Sequence, residues 1–390
     1  MSIQVLKPKY QTQEVLDSIK ECLDKQWTGM GYKTTEFEQA WKDYTNVNNA
    51  HFVHSCTAAL HIALNVFKNT DLWLDGDEVI TSPLTFVSTN HVIKYENLKP
   101  VFADVDDTLC LDPESVEQLI TNKTQAVIYV GLGGNTGNYL QIKELCEKYE
   151  LKLILDGAHM AGTRVREFAP DGSAFTHWHV GRDADAACFS FQTVKNLPTA
   201  DGGMVCFKEE EHDKLARQLS WLGIDKDTFS RTLPDGSYKW KYDVPNVGFK
   251  YHGNSIMAAI GLVQLKYLDE ENEKRNTIAD LYDWKIKNSF VNDVELINVP
   301  NQCYKNSRHL YQILVAPELR DDIINTMYNN DIYPGVHYIT NTEYPMYAYG
   351  KLTTPIATKY SNRLITLPIH MDITPEDVEK VVMVLRRFFT

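Results

Sequence analysis

The sequence predicts an α/β fold: a mostly parallel, seven-stranded sheet flanked by helices, followed by a smaller C-terminal α/β domain. Three observations predict it. Short runs rich in β-branched residues alternate with amphipathic stretches over the first two-thirds of the chain, the pattern of βαβ units and a parallel sheet. A long helical stretch then interrupts this alternation. Finally, 390 residues are too many for one small core and fit a large domain plus a smaller one.

The expected strands are residues 50–54, 78–82, 101–105, 126–130, 152–156, 186–190 and 204–207. Helical patterns lie between most of them, as at 58–67, 87–95, 113–120 and 140–149. From 254 to 289 the pattern is helical, with Ile256, Ile260, Val263 and Tyr267 at helical spacing, and reads as one connecting helix. Beyond it come a strand at 310–315, a helix at 320–329, a strand at 332–337 and a closing helix at 375–388. The expected division is therefore 1–253 for an N-terminal segment and large domain, and 254–390 for the connecting helix and small domain.

Composition narrows the function classes. Hydrophobic residues make up 43% and charged residues 23%, as in ordinary globular enzymes. The net charge of −13 repels a phosphate backbone, so nucleic acid is not an expected partner. Seven cysteines, widely spaced and without a Cys-x-x-Cys pair, suit free thiols in a reducing compartment rather than a disulfide frame or zinc site. The first residues lack an apolar signal region, and no run approaches the about 18 apolar residues of a membrane span. The expectation is a cytoplasmic protein without a membrane partner.

In parallel sheets ligands sit beyond the carboxyl ends of the strands, so those ends are where chemistry is expected. Asp156 ends the apolar run Ile154-Leu155 and precedes Gly157-Ala158-His159. It is either a helix cap or a carboxylate facing a protonated ring nitrogen. Lys195 follows Ser190-Phe191-Gln192-Thr193-Val194 and precedes the small-residue run 199–203. It is either a solvated charge or a partly desolvated, nucleophilic amine. Ser55-Cys56-Thr57-Ala58 sets small residues between a strand and a helix, where free N–H groups and the helix dipole attract anions. Gly131-Leu132-Gly133-Gly134-Asn135 lacks the spacing of a dinucleotide fingerprint and reads as a turn. Phe86, between Ser82 and Thr89, taken alone reads as core more readily than as a ring-stacking residue.

In order, these segments supply a small-residue phosphate loop, an aromatic residue, Asp-x-x-His and Ser-x-x-x-x-Lys. That series resembles the fold-type-I pyridoxal-phosphate (PLP) enzymes, and more narrowly the DegT/DnrJ/StrS family of sugar aminotransferases. The resemblance runs from Trp27-Thr28-Gly29-Met30-Gly31 through 55–60, 76–80, 85–89, 156–159, 189–203 and 248–261 to Gly335-Val336-His337-Tyr338 and Leu367-Pro368. It implies Lys195 as the Schiff-base lysine, Asp156 at the pyridine nitrogen, His159 at the ring hydroxyl side and Phe86 stacked on the ring. Thr57, Ala58 and Ser190 would hold the phosphate. It also implies a homodimer with shared active sites, in which the segment 248–252, with Lys250, reaches the neighbour's phosphate. Thr28, His337 and Tyr338 would wall the acceptor site. Because a net charge of −13 does not help an anionic ligand approach, Lys250, Arg308 and His309 are the expected local donors.

The activity implied is transfer of an amino group from an amino acid, glutamate by resemblance, to a keto-sugar, by resemblance nucleotide-linked. The family's dehydratase branch carries His in place of the lysine, so Lys195 argues against dehydration. The chain departs from the common pattern at Gln192, Asp201, Lys250 and Ile339-Thr340-Asn341. These departures keep a small non-nucleotide ketone or keto-phosphate open as acceptor. A silent binding or regulatory homologue is disfavoured by the intact Asp156 and Lys195. The connection 164–179 is longer than the family's usual one and carries His177-Trp178-His179, whose alternating histidines read as surface residues rather than a metal pair.

Overall fold

Strands that are apolar on both faces belong inside a sheet covered on both sides, and that is how the chain folds. In the computed structural model, which describes residues 2–169, 171–225, 242–290 and 293–389, seven strands form one sheet. Across it the order is Asn49–Val53, Gly203–Phe207, Ala186–Ser190, Lys152–Asp156, Thr124–Val130, Glu78–Thr81 and Lys99–Phe102. All neighbours pair parallel except Gly203–Phe207, which is antiparallel to both of its partners. Each strand matches one of the seven expected runs to within about three residues. Alternation decides which face each residue covers: Leu153 and Leu155 enter the core on one side with Trp41, Phe189 and Tyr139, while Ile154 enters the other with Phe67 and Leu60.

The expected single helix over 254–289 is two helices, Ser255–Leu265 and Leu268–Ser289. The second starts with Asp269, Glu270 and Glu271 in its first turn, acidic residues that favour a new helix N-terminus over continuation. It leads to a three-stranded antiparallel sheet, ordered Glu295–Leu296, Tyr311–Leu314, Leu364–Leu367. The helices Pro317–Tyr328 and Pro375–Arg386 join it around a core containing Tyr282, Ile313, Ile365 and Val381. The closing helix has a reciprocal cap between Thr374 and Asp377.

The expected strand at 332–337 shortens to Ile332–Tyr333, because Pro334 offers no N–H to continue the ladder. It pairs parallel with Ile3–Gln4, so the N-terminal segment crosses to the C-terminal part of the chain. The long connection at 164–179 is a β-hairpin, Arg164–Phe168 with Phe175–His179, extended by Cys303–Lys305 into a second three-stranded sheet. His177 is exposed, as expected, and stacks on Tyr304. His179 is not: it is fully buried, accepts from the Gly162 N–H at 3.2 Å and lies 2.8 Å from the Val180 carbonyl. Among the described residues no group of histidine, cysteine or acid side chains is arranged to hold a metal. No described helix is long and apolar enough to cross a membrane.

Candidate active site

The carboxyl ends of three neighbouring strands and the turn after Asn49–Val53 open onto a cleft of about 430 Å³. Ser55, Cys56 and Thr57 line one side, at the start of the helix Cys56–Thr70. The strand Gly203–Phe207 passes close behind them, since a Cβ on Gly203 would lie 2.5 Å from the Ser55 backbone. Only glycine therefore lets the small-residue turn sit against the sheet. Ser55 caps the helix by accepting from the Ala58 N–H at 3.2 Å. Ala58 itself is buried in the first turn, behind the residues that reach the cleft.

Asp156 ends its strand at the cleft floor, buried. One carboxylate oxygen accepts from the Thr89 hydroxyl at 2.7 Å and the other from the Ala158 N–H at 3.1 Å. Thr89 spends its proton on Asp156, so the Thr85 hydroxyl 2.9 Å away donates to Thr89. Burial pushes the Asp156 carboxyl upward, while Thr89, Ala158 and the Lys195 charge favour its ionised form. Each oxygen keeps capacity for a further hydrogen bond. The helix-cap reading does not hold: no helix follows Asp156, its contact with the Ala158 N–H lies in a turn, and the carboxylate lines the cleft.

Lys195 projects from the loop after Ala186–Ser190, with its backbone N–H on the Gln192 carbonyl. Among the described residues no carboxylate pairs with its ammonium. Burial lowers its proton affinity to about 8, against the opposing pull of Cys56 and Asp156. His159 accepts the Gly133 N–H at Nδ1, 3.2 Å away, and its Nε2 lies 3.3 Å from the Tyr338 hydroxyl. The turn at 131–135 thus orients a histidine of the cleft. Burial, then the charges of Lys195 and His337, hold His159 well below the usual histidine range. His337, hydrogen-bonded to Thr366 at 3.0 Å, is pushed down to about 4 by burial and by Lys195. Burial raises the Tyr338 hydroxyl.

Phe86 is 58% exposed at the cleft, 6.0 Å from the Tyr338 ring, so the core reading does not hold. Ser190, Gln192 and Asp201 also line the cleft. Asn341 is buried and serves the site from behind: it donates to the Thr85 carbonyl and accepts from Asn90, both at 2.8 Å. It latches the C-terminal part of the chain onto the segment that carries Thr85 and Phe86.

Four further expected residues lie outside the cleft lining. Thr28 and Lys250 are exposed and outside the lining of this chain's own cleft. The Lys250 ammonium sits 3.1 Å from the centre of the Trp221 ring, and partial burial lowers its proton affinity. Arg308 lines clefts beside Asn306 and Leu310 instead. His309 is buried against His159 and held well below the usual range by burial, Lys195 and His159, so it adds no positive charge. The expectation that Arg308 and His309 draw an anion to this cleft is corrected accordingly. Thr85, Thr89, Cys56 and Asn341 had no assigned role in the sequence reading. For Thr85 and Thr89 the i,i+4 spacing at a helix start was the available signal.

The residues present fit PLP. They bring together an unpaired amine of lowered proton affinity, a buried carboxylate with free lone pairs, an exposed aromatic ring and a helix N-terminus among small residues. The comparisons agree. SpsC, a spore coat polysaccharide biosynthesis protein of Bacillus subtilis, is 33% identical over 384 residues, spanning 96% of this chain and 94% of that protein. The aminotransferase TlmJ from Streptoalloteichus hindustanus superposes with a TM-score of 0.86 at 27% identity, covering 99% of this chain and 98% of that one. Spr1654 from Streptococcus pneumoniae, a candidate sugar aminotransferase solved in its PLP form, has a TM-score of 0.87 at 27% identity, covering 99% and 98%. Residues 9–386 match the model of the DegT/DnrJ/EryC1/StrS aminotransferase family. The chain belongs to that family and is a PLP-dependent aminotransferase of fold type I.

Proposed function

We propose that this aminotransferase moves an amino group from glutamate to a keto-sugar carried on a nucleotide, in a homodimer with shared active sites. The observation that carries the catalytic part is the meeting of Lys195, Asp156 and His159 in one cleft under Phe86. In this reading Lys195 holds the cofactor, Asp156 faces its ring nitrogen, His159 its hydroxyl side, and Phe86 stacks on the ring. Ser190 and Thr57, with the backbone at Ala58, hold the phosphate at the helix start.

Bound there, PLP supplies an electron sink and a temporary home for the transferred nitrogen. The protein does the rest. The Lys195 amine moves a proton between the donor's α-carbon and the cofactor's C4′, a task its lowered proton affinity suits. Asp156, fixed by Thr89 and Ala158, would offer its carboxylate to the ring nitrogen. His337 and Tyr338 close the cleft from the C-terminal side and present polar atoms to the second substrate.

Support for a sugar acceptor comes from SpsC, with its place in polysaccharide biosynthesis, and from Spr1654. Support for a shared site comes from Thr28 and Lys250, which are exposed and absent from their own chain's cleft. Lys250 would meet the partner's phosphate as a point charge. A steady-state comparison of keto-sugar nucleotides with small keto-phosphates, glutamate as donor, tests the substrate. The sugar assignment requires higher kcat/KM for at least one keto-sugar nucleotide. Preference for a small keto-phosphate over all of them overturns it and leaves the aminotransferase standing.

A further inference from the structure

Behind Lys195 and His159 lies a group of buried side chains that the mechanism has not used. Its protonation can be derived from hydrogen-bond accounting alone. The Asn272 amide donates to the Ala161 carbonyl at 2.9 Å, which fixes which end of that side chain is oxygen. The Asn196 amide then donates both protons, one to Asn272 Oδ1 and one to the Ser307 carbonyl, each at 2.7 Å. Asn196 Oδ1 is left as an acceptor, 2.9 Å from His309 Nδ1. His309 must therefore carry its proton on Nδ1. The same accounting works for His159: its Nδ1 accepts from the Gly133 N–H, so a neutral ring carries its proton on Nε2, toward Tyr338 and the cleft. The two rings pack at 4.4 Å between centres.

We propose that Asn196 and His309 are positioning residues for transamination: Asn196 locks His309 as a neutral ring protonated at Nδ1, and that ring, packed on His159, holds the His159 Nε2–H toward the cleft beside Lys195. The setting demands neutrality. Lys195, His159, Arg275 and His337 all bear on His309, and each disfavours a second positive charge there. A turned His159 ring would withdraw the one N–H donor it offers the cleft. This inference rests on the PLP reading of the cleft, but not on the identity of the acceptor.

The test is the ¹⁵N spectrum of histidine-labelled protein without cofactor at neutral pH, with signals assigned from single-histidine variants. Both rings are expected neutral, His309 protonated at Nδ1 and His159 at Nε2. In Asn196→Ala, His309 is expected to show both tautomers and the His159 signals to broaden or average. In His309→Gln, which can still donate to Asn196 but cannot pack a ring, the His159 signals are expected to change likewise. In the holoenzyme both variants are expected to lower kcat about tenfold, the scale of one unit of proton affinity, with KM for the amino donor within about twofold of the parent. A parent protein with His309 charged or protonated at Nε2 overturns the proposal. So do His159 signals identical to the parent's in both variants, even if melting temperatures fall, since that is the mark of packing alone. A failure of the sugar assignment would leave all these signals unmoved.

Discussion

Two groups of residues expected at the cofactor behave differently. Lys195, Asp156, His159, Ser190 and Thr57 converge in one cleft, each at a strand end, a helix start or the loop just after a strand of its own chain. Thr28 and Lys250 face outward, the first beyond the helix Thr12–Asp24 and the second over Trp221. The first group owes its convergence to the sheet of its own chain; the second lies on the surface, where the proposed dimer would bring it to a second copy's cleft.

The largest effect is expected within the cleft. Lys195→Ala should lower kcat/KM by about 10⁴-fold or more, as loss of both the cofactor anchor and the proton carrier. Its melting temperature should stay close to the parent's, because no ion pair is lost. Near-normal turnover would place the chemistry elsewhere. Asp156→Asn should cost about 100-fold or more in kcat, the scale of removing an oriented charge from a desolvated site. Cofactor binding, followed by absorbance, should fall much less. If turnover survives, the carboxylate acts only through the Ala158 N–H.

The outward group is tested by mixing. Lys195→Ala and Lys250→Ala, each inactive alone, should regain about a quarter of parental activity after subunit exchange. Half of the dimers are then mixed, and each mixed dimer holds one intact site. No recovery despite proven exchange would mean that Lys250 serves its own chain, and the contrast between the two groups would collapse.

The sequence reading reached these groups unequally, for physical reasons. All seven strands of the large sheet were legible because burial on both faces makes them near-continuous apolar runs. Asp156 was legible because an acid ending an apolar run is costly without a partner; Lys195, five residues past a strand end, gave a weak signal alone and stood out only in the ordered series of motifs. The hairpin Arg164–Phe168 with Phe175–His179 was not, because half of its strand residues are exposed, Phe168 and Phe175 among them, and only Val165, Trp178 and His179 are buried. The alternation around Asp171-Gly172 was the signal to use. Taken alone Phe86 pointed to the core, because an aromatic residue in an apolar context gives no sign of which face it occupies; only the ordered series of motifs placed it at the cleft. His309 was misread as a cation because burial against His159 is a tertiary fact.

Two smaller effects sharpen the picture of the cleft. Phe86→Ala should weaken cofactor binding by roughly 1 kcal/mol, about fivefold, the scale of one aromatic stack. An unchanged affinity would remove Phe86 from the ring. The rate at which PLP loads into cofactor-free protein should rise with pH through a midpoint near 8, since only the neutral Lys195 amine attacks. The sign follows from burial, which moves this amine down from the ordinary lysine range. A midpoint near 10 would mean that the amine is solvated.

The most direct test of the central claim is chemical. Holoenzyme reduced with borohydride and digested should carry the cofactor's mass on one peptide, attached at Lys195. Label on any other lysine, or no stable label in protein that retains its yellow absorbance, would contradict the assignment of this cleft as the PLP site.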